Sequence, residues 1–169
     1  MILVFRNNKL LFKKKVYRCS LGINGLTSNK KEGDGCTPIG NFSLGKIYFR
    51  DDRVNLKNTK KEKVPIKKNM YWSDNPRSIF YNQLILRNKY HSEKLYRSDN
   101  IYDILIVVNF NTTPIKKNLG SAIFLHIAKK NYQPTKGCIG LSQSDLLEII
   151  GYITLKERIK IFPNSYISA

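Results

Sequence analysis

Two side chains in the C-terminal half of the sequence are of the types that nucleophilic catalysis needs. Cys138 lies in "PTKGCIGLS", and His126 lies twelve residues earlier in "SAIFLHIA". A thiol beside an imidazole can pass its proton to the ring, and the thiolate so formed attacks an acyl carbon. A straight chain would hold the two about 40 Å apart. The segment between them, "KKNYQPTKG", contains Asn131, Pro134 and Gly137, residues that reverse a chain, so Cys138 can be carried back beside the histidine. Gly137 would let a substrate approach the backbone closely, and the Cys138 N–H would point at a developing oxyanion. Thr135 is placed to orient the second ring nitrogen of His126 through its hydroxyl or carbonyl. Spacing by itself leaves a blander alternative open, a core histidine and a capped turn cysteine that never meet.

Other candidates carry less. Cys19 sits in a strand-like run on the same face as Tyr17 and Leu21 and reads as a small buried hydrophobe. Cys36 lies in a Gly-rich loop with no histidine near it in sequence, and His91, in "NKYHSEK", reads as a solvated surface residue. Glu32 and Asp34 in "KEGDG" could form an acid–base pair or bind a metal, but their glycine neighbours suit turn-making better. Three widely spaced cysteines and two histidines compose neither a zinc site nor a disulfide framework, so the reading requires no metal and no cofactor.

The elements that must position His126 and Cys138 are mostly strands. Ile2 to Phe5 and Leu10 to Leu21 are apolar runs joined by "RNNK", whose asparagines tolerate a tight hairpin. "GINGLTSNKKEGDGCTPIG" reads as a long loop, "NFSLGKIYF" as a strand, and "RDDRVNLKNTKKEKVPIKKN" as a solvated insertion. "MYWSDNPRSIFYNQLI" gathers Tyr71, Trp72, Phe80 and Tyr81 around an Asn-Pro turn, as a core edge or a cleft wall. "IYDILIVVNFN" and "SAIFLHIAKK" read as buried strands, the latter with Ile123, Leu125 and Ile127 on one face and His126 on the other. "SQSDLLEII" reads as a short helix capped by Ser142, with Asp145 at the capping-box spacing and Gly151 at its end. "RIKIF" closes the fold as a last strand. The fold class is mainly β.

The length, 169 residues with 41% hydrophobic and 25% charged side chains, suits a single domain over 1–169 with a real core. The longest strictly apolar run, Ile104 to Val108, is far too short to span a bilayer, and the N-terminus does not read as a signal peptide. A net charge of +18 would draw the protein to polyanions, and a basic nucleic-acid-binding module is the minor alternative. Its lysines are scattered along the chain instead of gathered in one tract, and no RNP, KH or helix-turn-helix pattern accompanies them.

The stretch "FLHIAKKNYQPTKGCIGLS" resembles the active-site signature of the L,D-transpeptidase catalytic domain (YkuD family). It has a histidine, a loop, then Ser/Thr, one residue, Gly-Cys and an aliphatic residue. "KKEGDGCTPIGNFSLG", "WSDNP…YN" and "YDILIVVNFN" resemble further segments of a bacterial branch of that family in the same order, and the resemblance covers roughly residues 15 to 162. It implies a YkuD-like β-sandwich with one or two short helices and peptidoglycan stem peptides as substrate. Cys138 would be the nucleophile, His126 the general base and acid, and Gly137, Lys136 and Ile139 would stand at the oxyanion and substrate. The implied function is crosslinking through a cysteine acyl-enzyme, with an L,D-carboxypeptidase or amidase using the same pair and water as the alternative. It also implies a place in the cell envelope or periplasm, against which the missing leader keeps a cytoplasmic site open. Three positions depart from the family's commonest form, which has Gly where Ile127 stands, His where Lys136 stands, and Arg or Asn where Gly140 stands. A cationic Lys136 would then favour the Cys138 thiolate and replace part of a carboxylate grip.

Overall fold

The computed structural model describes residues 1–56, 59–87 and 92–167, so His91 lies outside the described residues. Strands β1 (Ile2–Phe5) and β2 (Lys9–Phe12) pair antiparallel across the expected turn, where Asn8 takes φ 61°. The continuous strand expected from Leu10 to Leu21 is broken. Lys13 and Lys14, at φ 48° and 66°, turn the chain into β3 (Lys15–Arg18), which lies back on β2 with Leu10 opposite Tyr17. Three successive lysines offer nothing to bury, so the chain reverses there at the water boundary. Ser20 then leaves the hairpin and exchanges backbone hydrogen bonds of 2.8 and 3.0 Å with Gly140.

Within the long loop, β4 (Leu26–Thr27) and β5 (Thr37–Pro38) form a short parallel pair before β6 (Gly40–Phe49) runs through the middle of the main sheet. The segment after β6 is not simply solvated. Val54 and Leu56 are buried in the core, Lys61 Nζ donates to the Leu44 and Leu155 carbonyls, and β7 (Lys63–Pro65) adds in parallel to β6. Its charges hid this, because long basic side chains reach carbonyls while the apolar residues between them turn inward. Strands β8 (Tyr71–Trp72), β9 (Leu84–Ile85) and β10 (Glu93–Lys94) make a small second sheet. Then follow β11 (Ile104–Val108), β12 (Phe124–Ile127), β13 (Ile139–Leu141), helix α1 (Gln143–Tyr152) and β14 (Arg158–Phe162).

The main sheet runs β13-β12-β11-β6-β14-β1-β2-β3, with every residue of β11 and β12 buried. Alternation on these strands feeds two cores. Ile104, Ile106, Leu125 and Ile127 face the larger one, where α1 delivers Leu146, Ile149 and Ile150. Each of these side chains gains roughly 2 kcal/mol from leaving water. Ser142 caps α1 by accepting from the Asp145 N–H at 3.1 Å, and the helix continues through Gly151 to Tyr152. Leu105, Val107 and Phe124 face the opposite, aromatic core with Trp72, Tyr48 and Tyr102. The sandwich-like, mainly β fold is as expected, with one α-helix and one 3-10 turn among the described residues. No described helix is long and apolar enough to cross a membrane.

Candidate active site

His126 projects from β12 on the aromatic side, opposite Leu125 and Ile127. It is 4% exposed, and the Tyr102 ring meets it edge-on with centroids 5.5 Å apart. Its Nδ1 lies 2.8 Å from the Ile127 carbonyl oxygen. A carbonyl only accepts, so Nδ1 carries the proton and Nε2 presents a bare lone pair. Burial lowers the ring's pKa to about 4, opposed by the bond to Ile127, with Arg97 and Lys129 adding to the fall. The imidazole is neutral at neutral pH.

The chain returns to β12 much as its turn residues predict. Asn131 and Tyr132 adopt φ 57° and 55° in a 3-10 turn, and β13 lies parallel to β12 with His126 opposite Gly140. Cys138 thereby stands beside Phe124, one pleat repeat (about 7 Å) along the strand from His126 on the same face. The Cys138 thiol donates to the Ala122 carbonyl at 3.1 Å and accepts from the Phe124 N–H at 3.4 Å. Burial pushes its pKa up to about 12. The Phe124 N–H and Lys30 counter that rise, and Glu93 adds to it. Thiol and imidazole therefore rest as a neutral pair, a state from which attack on an acyl carbon needs the proton to move as the S–C bond forms.

Several expected roles fall elsewhere. Thr135 is not the partner of the second His126 nitrogen. Its Oγ1 donates to the Cys138 carbonyl at 2.6 Å and accepts from the Gly137 N–H at 3.0 Å, closing the cysteine turn, while its carbonyl takes the Ile23 N–H. At Gly137 a Cβ would sit 2.7 Å from the Cys36 carbonyl oxygen, and the residue's φ is +135°. Glycine is needed for backbone packing. Ile139 is fully buried in the larger core and lies away from the cleft. Lys136 is exposed at the cleft mouth, but the cation that acts on the thiol is Lys30. Gly140 has no room for the family's more common Arg or Asn, because a Cβ would run into Ser20 Oγ and approach Ala128 Cα to 3.0 Å.

His126 and Cys138 open on one cleft of about 440 Å³, whose walls also carry charged residues that the sequence does not tie to these two. Arg97 donates to Glu93 at 3.3 Å and Asp99 at 2.6 Å and lies over the Tyr102 ring. Lys30 pairs with Asp34 at 2.5 Å, and Asp34 also accepts from the Lys31 and Cys36 N–H groups, so the turn-making reading holds for it. Glu32 is instead an anchor, accepting from Ser121 at 2.7 Å and from the Tyr81 hydroxyl. Charged residues from a loop and from β10 signal no such convergence in sequence, since their periodicity is that of solvated surface. Cys36 Sγ is spent on the Asn24 and Asp34 carbonyls, and Cys19 is wholly buried with its pKa raised to about 12 by burial. No cluster of three metal-ligating side chains occurs among the described residues.

With this geometry in hand, comparison with known proteins gives three results. The family model described as the L,D-transpeptidase catalytic domain (YkuD) matches residues 1–161. Among solved structures, similarity extends to the helical cell shape determining protein Pgp2 from Campylobacter jejuni, at 14% identity and TM-score 0.48. That alignment covers 99% of this chain and 49% of the other. A mutant of the same protein aligns at 13% identity and TM-score 0.46, over 99% of this chain and 48% of the other. The chain thus spans about half the length of these structures. Among curated proteins nothing matches it.

Proposed function

The chain belongs to the YkuD family of L,D-transpeptidase catalytic domains, cysteine-dependent enzymes that act on peptidoglycan. On that premise we propose that it crosslinks stem peptides through an acyl-enzyme on Cys138. The observation that carries this reading is the bare Nε2 of His126, fixed by Nδ1–H to Ile127, on the same face and in the same cleft as the Cys138 thiol.

In the first half-reaction the Cys138 sulfur attacks the amide carbonyl between the stem peptide's diamino acid and its terminal D-alanine. His126 Nε2 takes the thiol proton, the C–N bond breaks, and the same proton leaves with the amine of D-alanine. In the second half-reaction an acceptor amine attacks the thioester. Its proton passes to Nε2 and on to the departing sulfur, which restores the neutral pair. Arg97, Lys129 and Lys136 around the cleft suit a substrate that carries carboxylates. A peptidoglycan substrate supports a place in the cell envelope over a cytoplasmic one, and immunodetection in envelope and cytoplasmic fractions tests that location.

Incubation with purified tetrapeptide muropeptides and mass analysis of the products tests the function. Crosslinked dimers that vanish with Cys138→Ala support the proposal. Trimmed monomers alone make water the acceptor and the protein an L,D-carboxypeptidase. Unchanged muropeptides overturn both.

A further inference from the structure

The Cys138 thiol is held by a carbonyl that is itself held in an unusual backbone conformation. Ala122 takes φ 52°, a left-handed angle that is unfavourable for a non-glycine residue. That angle turns its C=O away from the direction an extended residue would give, and the C=O accepts the thiol at 3.1 Å. A neighbouring amide over-determines the conformation. Asn82, 4% exposed, accepts from the Ala122 N–H and from Trp72 Nε1, each at 3.0 Å, through Oδ1. Its Nδ2 donates to the Phe110 and Asn111 carbonyls at 3.0 and 2.8 Å, and its backbone N–H donates to Ser73 O at 2.7 Å. All the hydrogen-bonding capacity of this side-chain amide that its two N–H groups and two lone pairs offer is used. One residue earlier, Tyr81 binds Glu32, which binds Ser121, so the same turn grips both residues that precede the thiol's strand neighbours.

We infer that Asn82 is a positioning residue for Cys138, acting by locking the Ala122 peptide so that its carbonyl fixes the sulfur beside the Phe124 N–H. This rests on the reading of Cys138 as the nucleophile. The Ala122 carbonyl favours the protonated thiol and the Phe124 N–H favours the thiolate, so the lock sets both where the sulfur sits and when it ionises. The groups facing Cys138 are His126 from β12, Tyr102 before β11, Glu93 from β10 and Lys30 from the loop. Glu32, Asp74, Arg97, Lys129 and Lys136 stand further round the cleft. Asn82 hydrogen-bonds Trp72, Ser73, Phe110, Asn111 and Ala122, none of which is among these groups.

The test follows iodoacetamide alkylation by intact mass from about pH 7 to about pH 11 in a Cys36→Ser parent, alongside turnover of tetrapeptide muropeptides. Buried Cys19 serves as an internal reporter of unfolding. Asn82→Gly removes the amide and accommodates the residue's own φ of 56°. Its Cys138 should alkylate about tenfold faster and its profile should begin to level near pH 11, a drop of about one pH unit, while turnover falls about a hundredfold. Asn82→Asp retains an acceptor for the Ala122 N–H and should not alkylate faster than the parent. An unchanged Asn82→Gly profile with Cys19 unlabelled overturns the inference, and so does labelling of Cys19 in both variants, which would assign Asn82 to the fold alone. A parent that alkylates as described but leaves muropeptides untouched overturns the proposed function, and the Asn82→Gly profile still decides this inference.

Discussion

Gly140 offers a sharp test of how the cysteine turn is packed, because the family's commonest residues at this position are larger. In an extended strand, replacing glycine by alanine normally stabilises by about 0.4–1 kcal/mol through the unfolded chain. Here the new Cβ collides with Ser20 Oγ and comes within 3.0 Å of Ala128 Cα and 3.2 Å of Ala128 Cβ. Overpacking of this kind costs about 1–3 kcal/mol, so Gly140→Ala should destabilise by a net of about 1–2 kcal/mol. Ser20 Oγ is buried without a hydrogen-bond partner among the described residues. Ser20→Ala removes both that unsatisfied hydroxyl and the colliding atom, and alone should be neutral or stabilising by up to about 1 kcal/mol. Urea denaturation of the parent, both single variants and the double variant closes a double-mutant cycle. The account expects a coupling of at least about 1 kcal/mol in favour of the double variant, with unchanged m-values. Additive effects, or a stabilising Gly140→Ala, would refute the packing described for β12 and β13.

His126 makes stability fall with acid. Its folded pKa of about 4 lies below the ordinary 6.5, so between those values the unfolded chain binds the extra proton. The contribution is fully present above about pH 6.5 and is lost as pH falls toward about 4, by up to about 3 kcal/mol. Urea titrations at several pH values should show this slope, and His126→Gln should flatten it. Asp34→Ala strips the nearly buried Lys30 of its partner and two backbone N–H groups of their acceptor. A loss of about 3 kcal/mol in the same urea assay checks it. Gly137→Ala must fit a side chain at φ +135° against the Cys36 carbonyl, and a melting curve should report a loss of at least about 2 kcal/mol.

How much of this was legible depended on whether a feature is local. Ser142 and Asp145 announce α1 because a cap and its apolar face lie within one stretch of chain. Alternation around Leu125 likewise assigned His126 to the face opposite the aliphatic row, since period two follows from strand geometry. The turn at Lys13 and Lys14 was missed because tertiary pairing of Leu10 with Tyr17 overrode a run that reads as one strand. The contacts made by Thr135, Gly137 and Ile139 are not legible locally, because the Ile23 N–H, the Cys36 carbonyl and the large core reach them from distant segments. Lys30, Glu32 and Asn82 lie in segments that carry the resemblance, yet nothing in those segments gives them a part at the thiol, and Arg97 lies in none of them. Each stands between 41 and 108 positions before Cys138, and no hydrophobic period in a single chain encodes such a contact.

The central claim is that Cys138, served by His126, is the nucleophile of an acyl-enzyme. Intact-mass measurement after exposure to a carbapenem, the class of β-lactam that the family resemblance marks as an acylating agent, tests it most directly. The account predicts one stoichiometric adduct, mapped by peptide analysis to Cys138, absent from Cys138→Ala and formed much more slowly by His126→Gln. An adduct on Cys36, or an unmodified protein, would contradict it.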